Sequence, residues 1–213
     1  MTIEEIIRKR KITEVMHFTT NRGLLGIFHS GSVKSRARLT ADEQLEYIFK
    51  PNAAFRKDAA WTDYVNLSIS RINNSFYDVS ADNWHRNEDL WWCILALSPE
   101  ILHHKEVVFV TTNNIYTGAQ RGKGAKALEA LFAPKIVRWN NNVVVRPDKL
   151  PQRCTTCVQA EVLYPREIPT DFLRCVYVIK DEDADEVRGQ LELTKHRVVD
   201  IIVSPNKFRN EVG

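Results

Sequence analysis

Residues 64–69 alternate apolar and polar positions, a period of two that predicts a β-strand with one buried face. Residues 158–164 read the same way, with Ala160 and Val162 turned to the core and Gln159 and Glu161 to the other side. The apolar run over 90–97 predicts a buried strand, and 106–111 predicts another strand. Residues 12–18, 176–179 and 198–203 predict further strands. Helical spacing marks 3–11, 126–133 and 182–193. It is clearest over 21–30, where Leu24, Leu25, Ile27 and Phe28 share a stripe that ends at Gly31. Thr40 is a plausible cap for a helix over 41–49, closed by Pro51. Residues 32–39, 52–62, 113–124 and most of 133–157 have loop composition, and 72–88 is partly helical. Strands and helices are interspersed without a βαβ rhythm or an internal repeat, which predicts an α+β fold.

Composition narrows the class. The chain has 213 residues, 44% hydrophobic and 27% charged, enough for a single domain over 1–213. No apolar run approaches the ~20 residues of a membrane span. The first eleven residues lack the apolar centre of a signal peptide, so a cytoplasmic protein without a membrane partner is expected. Cys93, Cys154, Cys157 and Cys175 are too few for a disulfide scaffold and read as reduced thiols. The net charge is +3, unevenly spread: residues 111–160 hold eight basic and two acidic side chains, +6, leaving −3 elsewhere. A basic block just before Gln159 and Glu161 suggests an approaching polyanion, although a solvated basic face has the same signature.

Three groups of residues carry candidate chemistry. An amide and a carboxylate on one strand face, Gln159 and Glu161, can grip a sugar and steady a cationic transition state; a solvated strand face also looks like this. His17 and Thr19 share a face at a strand end before a helix and can hydrogen-bond a ribose or an amide, or be an ordinary structural pair. Arg56 lies in the loop before Asp63-Tyr64-Val65, with Lys50, Lys57, Arg36 and Arg38 as competitors.

The order His17-Phe18-Thr19, an arginine segment, Asp63-Tyr64-Val65 and then Gln159-Ala160-Glu161 resembles the DarT family of DNA ADP-ribosyltransferase toxins. The resemblance covers most of the chain and is strongest at 17–31, 63–70 and 159–164. It implies two packed mixed sheets around a NAD⁺ cleft and transfer of ADP-ribose from NAD⁺, a co-substrate, onto a thymine or guanine of single-stranded DNA, without a metal. By carry-over Glu161 is the catalytic glutamate and Arg56 the essential arginine. His17, Phe18, Thr19, Gly26 and Lys34 contact NAD⁺, and Gln159 the ribose or the base. Residues 33–57 correspond to a loop closing over NAD⁺, and 112–160 to the loop receiving DNA. In the latter, Tyr116 and Trp139 are candidate stacking residues, with Arg121, Lys123 and Arg153 as phosphate contacts. The family also implies a monomeric toxin and an ADP-ribosylhydrolase antitoxin of macrodomain or similar type.

Other readings stand beside this one. The Q-x-E arrangement equally suits a transferase acting on RNA or protein. Cys154-x-x-Cys157 with His104-x-Glu106 superficially matches a zinc nucleobase deaminase, but Pro151 is misplaced and the 50-residue spacing from His104 to Cys154 is long. A non-enzymatic nucleic-acid-binding module uses the same basic segment but gives no reason for a carboxylate beside it.

Overall fold

Thr2 opens the first helix, α1 (Ile3–Arg10), through reciprocal capping: Glu5 N–H donates to Thr2 Oγ1 at 3.2 Å, and Thr2 N–H donates to Glu5 Oε2 at 2.8 Å. Lys11 closes it in the left-handed region. Strand β1 (Val15–Thr20) runs without a loop into α2 (Asn21–Ser30), because Thr20 is both the last strand residue and the helix cap. Gly31, at φ 69°, ends α2 as the glycine pattern predicts. The computed structural model describes residues 1–40, 59–83, 90–139 and 142–209. The helix expected over 41–49 lies outside them.

The remaining described elements follow in chain order. They are β2 (Ser32–Lys34), β3 (Tyr64–Ile69), α3 (Asn74–Asp78), β4 (Trp92–Leu97), β5 (Val108–Val110) and β6 (Arg121–Gly122). Then come α4 (Gly124–Ala130), β7 (Lys135–Val137), β8 (Val143–Val145), β9 (Glu161–Pro165) and β10 (Glu167–Pro169). Strand β11 (Leu173–Val178), α5 (Asp181–Thr194), β12 (Asp200–Val203) and α6 (Pro205–Phe208) complete the described chain. Eight strands form one sheet in the order β12-β11-β4-β1-β3-β9-β5-β6, antiparallel except where β11 meets β12. β10 pairs with β2, and β7 with β8.

The two-sheet expectation takes a specific form here. β1 pairs with β4 at all six positions but with β3 at only two, Val15↔Ile69 and Met16↔Ser68. Past Met16 the neighbours part, so the sheet is two four-stranded halves joined at a short seam. One face carries the main core. Ile6, Leu24, Phe28, Leu128, Val187 and Leu191 from four helices pack with Val15, Leu67, Leu95, Phe109 and Val162. The other face has two smaller clusters. Met16, Trp92, Ile94, Tyr77 and Phe208 lie under one half. Val108, Val110, Leu163 and Ala119 lie under the other, with Trp61, Tyr64 and Tyr116 against them.

Several expected boundaries shift. The strand expected from 158 begins at Glu161, because 157–160 is a turn closed by Ala160 N–H donating to Cys157 O at 3.0 Å. The loop expected over 32–39 contains β2, and the one over 133–157 contains the β7–β8 hairpin. Each strand there has three residues, too few to show a period, and the hairpin buries only Ile136. All four cysteines are buried and free, in line with the reduced-thiol reading, and burial pushes the Cys93 thiol up.

A Cβ added at Gly23 falls 2.3 Å from Thr19 Oγ1, whereas one added at Gly26 meets nothing within 4 Å. Gly23→Ala is therefore expected to displace Thr19 and to destabilise by about 1 kcal/mol, overriding alanine's better helix propensity. Gly26→Ala is expected to stabilise by roughly 0.5–1 kcal/mol. Urea unfolding of both variants checks the contrast; shifts of the same sign would show that Thr19 gives way freely.

Candidate functional site

The seam opens at His17. Had the β1–β3 ladder continued, Phe18 would face Asn66. Instead the His17 ring enters the gap, with Nδ1 3.0 Å from the Asn66 carbonyl. A carbonyl only accepts, so Nδ1 carries the proton and Nε2 keeps a lone pair. Desolvation pushes the His17 pKa below its ordinary 6.5, against the raising effect of that backbone bond, so the ring is neutral at pH 7.

Asn66 also reaches the other way. Its Nδ2 donates to Glu161 Oε1 at 3.3 Å, and Asn114 N–H donates to Glu161 Oε2 at 3.0 Å. Register explains the first contact: Asn66 pairs with Leu163, so Glu161, two residues back, lies on the same face of the neighbouring strand. The second depends on a loop held by Arg121. That guanidinium donates from Nε to Asn114 Oδ1 at 2.6 Å, from Nη1 to Ala119 O at 3.2 Å, and from Nη2 to Asn114 O. One asparagine thus joins His17 and Glu161 across the seam, and one arginine builds the loop that fixes the carboxylate. Asn66 escaped the sequence reading, although its place in the strand after Asp63-Tyr64-Val65 is a usable signal.

The other expected site residues fall into distinct places. Phe18 packs against Phe76, Tyr77 and Trp92, with ring centroids 5.6–5.8 Å away. Thr19 sits over Gly23, at the start of α2. Gly26 is on the exposed side of that helix, and Lys34 ends β2 opposite Glu167. Arg56 lies outside the described residues. Gln159 is not on the β9 face, as alternation predicted, but in the turn before it, where its Oε1 accepts from Arg138 Nη2. Arg138 lies over the Trp139 ring at 4.2 Å and near Tyr116 at 5.7 Å, and those two rings are 4.5 Å apart. Lys123 is exposed and Arg153 half-buried.

Arg121, expected as a phosphate contact, turns its guanidinium onto its own loop instead. Asp63 is an anchor: Arg38 Nε and Ser35 Oγ donate to its Oδ1 at 2.7 and 2.9 Å, and Arg38 holds its carboxyl below the usual range. Cys154 and Cys157 belong to a buried segment clamped by two arginines. Arg146 donates to Cys154 O at 2.7 Å, and Arg71 to Thr155 O at 2.8 Å. His104 is engaged with Tyr164 Oη at 2.6 Å, and the described residues contain no group of three His, Cys, Asp or Glu placed to share a metal, which leaves the deaminase reading without support.

The forked sheet is that of the ADP-ribosyltransferase fold. Thermus sp. 2.9 DarT in complex with ADP-ribosylated ssDNA superposes with a TM-score of 0.64 at 16% identity, covering 92% of this chain and 96% of that one. The same protein in complex with carba-NAD⁺ gives 0.65 at 16%, with 92% and 98% covered. Thermosipho africanus DarTG in complex with ADP-ribose gives 0.64 at 14%; 92% of this chain is covered, spanning 51% of that one. No curated protein is significantly similar in sequence. The model of the family described as ssDNA thymidine ADP-ribosyltransferase, DarT, matches residues 16–209, and the chain belongs to this family. It is an NAD⁺-dependent ADP-ribosyltransferase of single-stranded DNA.

Two outcomes are expected from this geometry. Asn66→Ala removes the link between Glu161 and the seam while leaving β3 paired with β9. It is expected to lower the transfer rate by roughly tenfold to a hundredfold with little change in stability. Steady-state kinetics and thermal unfolding of the purified variant check it, and an unaltered rate would show that the carboxylate is held without Asn66. The second outcome follows from burial of neutral His17. Its folded pKa is depressed, so the unfolded chain binds more protons between that value and 6.5. Its contribution is present in full above 6.5 and is lost as pH falls through the folded pKa. Unfolding free energies from pH 7.5 to 5 should therefore fall more steeply for the native chain than for His17→Asn. Parallel profiles would contradict the burial.

Proposed function

We propose that the protein transfers ADP-ribose from NAD⁺ to thymine in single-stranded DNA, with Glu161 as the catalytic carboxylate. The observation that carries this reading is the Glu161 carboxylate, which accepts from Asn66 Nδ2 and from Asn114 N–H, with the Asn66 carbonyl meeting neutral His17 at the seam. Breaking the bond between nicotinamide and ribose C1′ sends the electron pair out with a neutral leaving group and leaves positive charge on the sugar. A carboxylate fixed by N–H donors needs no reorganisation to meet that charge. The carboxylate accepts the ribose 2′-OH. His17 Nε2, the acceptor end of the ring, takes another sugar hydroxyl. Phe18 and Thr19 line the nicotinamide end, Gly26 leaves room along α2, and Lys34 contributes through its backbone. Arg56 is assigned to the pyrophosphate or the base.

The base completes the reaction. Thymine N1 is already glycosylated, so its free ring nitrogen is N3, which lies on the pairing edge. A bond from N3 to C1′ forms in place of the bond to nicotinamide, and the N3 proton passes to solvent water. That edge is hidden in a duplex, so the substrate is single-stranded or flipped out. Tyr116 and Trp139 offer stacking surfaces, and Lys123 and Arg153 offer phosphate contacts. Residues 33–57 are assigned to closure over NAD⁺ and 112–160 to DNA. The same reading makes the chain the monomeric, cytoplasmic toxin of a toxin–antitoxin pair, countered by an ADP-ribosylhydrolase of macrodomain or similar type. The solved Thermosipho africanus DarTG chain, which this one spans by half, supports that pairing.

Incubation with NAD⁺ and mixed-sequence single strands, followed by intact-mass measurement, tests the reading. One ADP-ribose is expected on thymine-containing strands, and none on duplexes or on strands without thymine. Glu161→Gln is expected to slow transfer by at least about a thousandfold while folding normally. Adducts only on RNA or protein would overturn the acceptor. Full activity in Glu161→Gln would overturn the role of the carboxylate.

A further inference from the structure

Amides of the loop between β5 and β6 close its own turns. Ile115 N–H donates to Asn113 Oδ1 at 3.1 Å, Tyr116 N–H to Asn113 O at 3.0 Å, and Ala119 N–H to Tyr116 O at 3.1 Å. The Asn114 N–H leaves the loop and meets Glu161 Oε2 at 3.0 Å. That aim depends on the orientation of its peptide, and the orientation is set from β6. Asn114 and Ala119 are 5% and 9% exposed, so their carbonyl oxygens need partners inside the protein. Arg121 supplies both, from Nη2 to Asn114 O and from Nη1 to Ala119 O at 3.2 Å, while its Nε donates to Asn114 Oδ1 at 2.6 Å. One planar fork thus ties the two turns together, which a point charge such as lysine does not do. Val110 pairs with Glu161 on one side and with Arg121 on the other, so β5 lies between them and Arg121 acts on the carboxylate through the loop. β6 is the last strand of the sheet and Arg121 is exposed, so this clamp is separable from the main core.

We propose that Arg121 is a positioning residue for the bond-breaking step, acting through the Asn114 N–H on the Glu161 carboxylate and not on the DNA backbone. This rests on the assignment of Glu161 as the catalytic carboxylate above. Without the guanidinium, two buried carbonyls and the Asn114 amide oxygen lose their donors, and the loop relieves that by turning its peptides toward water. The Asn114 N–H then swings off Glu161. A carboxylate that has lost a fixed donor must be reoriented in each turnover to meet the positive charge on the sugar, and that cost falls on kcat. A phosphate contact behaves differently. Its loss weakens binding of the strand, makes the dependence on salt shallower, and leaves cleavage of bound NAD⁺ untouched. Lysine replaces arginine well on a phosphate but not in a three-point clamp.

The test measures nicotinamide release from NAD⁺, with and without single-stranded DNA, beside equilibrium binding of the same strand over a range of salt. Arg121→Met is expected to lower kcat about tenfold, with the DNA affinity and its salt slope unchanged. Arg121→Lys is expected to recover little of that loss. Asn114→Ala keeps both backbone groups and removes only the acceptor of Nε, so a smaller fall is expected. Added to Arg121→Met, it is expected to slow the reaction no further, because both act through one clamp. An intact kcat in Arg121→Met with weaker, less salt-dependent DNA binding would overturn the proposal, as would full recovery in Arg121→Lys. A second readout does not depend on activity: hydrogen exchange of the Asn114 amide, followed by NMR in the folded chain. It is expected to be slow in the native protein and at least about tenfold faster in Arg121→Met, with thermal unfolding little shifted. Unchanged exchange would overturn the clamp. A native chain that releases nicotinamide but leaves no adduct on DNA would count against the proposed function alone, because release and exchange still decide the role of Arg121.

Discussion

The seam between β1 and β3 is the constraint on which the site depends. Two paired positions hold the halves of the sheet together, and the ladder then stops while both strands continue. The cause is local to β1. It stays paired with β4 up to Thr20, and Thr20 already caps α2, so the strand is drawn toward the helix and away from β3. Parting strands leave backbone groups that must find partners. The His17 ring supplies one, accepted by the Asn66 carbonyl. A single contact therefore keeps the gap open without an orphaned carbonyl and also selects the tautomer that leaves Nε2 its lone pair. Its net worth is only about 0.5–1.5 kcal/mol. The fork itself is maintained by the core packed beneath α2 and α5, and the histidine makes it chemically usable.

Support for the carboxylate comes from three parts of the chain that are distant in sequence. Asn66 lies on β3, Asn114 on the loop after β5, and Arg121 at the start of β6. This changes the meaning of the basic excess over residues 111–160. Arg121, Arg138 and Arg146 turn their guanidinium groups onto the protein itself: the Asn114 loop, Gln159, and the backbone of 151–156. Lys123, Lys126, Lys135 and Lys149 are exposed. The exposed positive charge of the segment is carried mostly by its lysines, as point charges, while these three arginines use their planar, multi-donor geometry to hold loops.

Legibility in the sequence followed the range of the interactions involved. α2, from Asn21 to its Gly31 stop, and β3, from Tyr64 to Ile69, were readable to the residue, because capping and period-two alternation are local. The buried β4 was readable as an apolar run. Short elements were not: β2 and the β7–β8 hairpin have three residues per strand and owe their existence to partners elsewhere. The same division runs through the site. Motif order singles out Glu161, His17 and Phe18 as candidates. Asn66 was passed over, because its importance comes from joining β1 to β9, a relation that strand order alone does not display. Arg121 was read as a surface charge, because nothing near it in sequence shows that the loop before it needs a clamp.

Gln159 shows where alternation fails and what replaces it. Period two placed it beside Glu161 on a strand face, but that rule holds only once the ladder has begun, and β9 begins at Glu161 itself. The preceding turn, closed between Cys157 and Ala160, is held by its surroundings: Thr155 Oγ1 donates to Cys157 O at 2.8 Å, and Arg71 clamps the Thr155 carbonyl. Freed from the pleat, the glutamine takes its direction from Arg138, 21 residues earlier. The carboxylate and the amide are thus fixed by independent devices, one by strand register and a loop N–H, the other by a stacked guanidinium. Because the two groups share none of these contacts, a change at Arg138 that releases the glutamine leaves Asn66 and Asn114 on the carboxylate, and the reverse also holds.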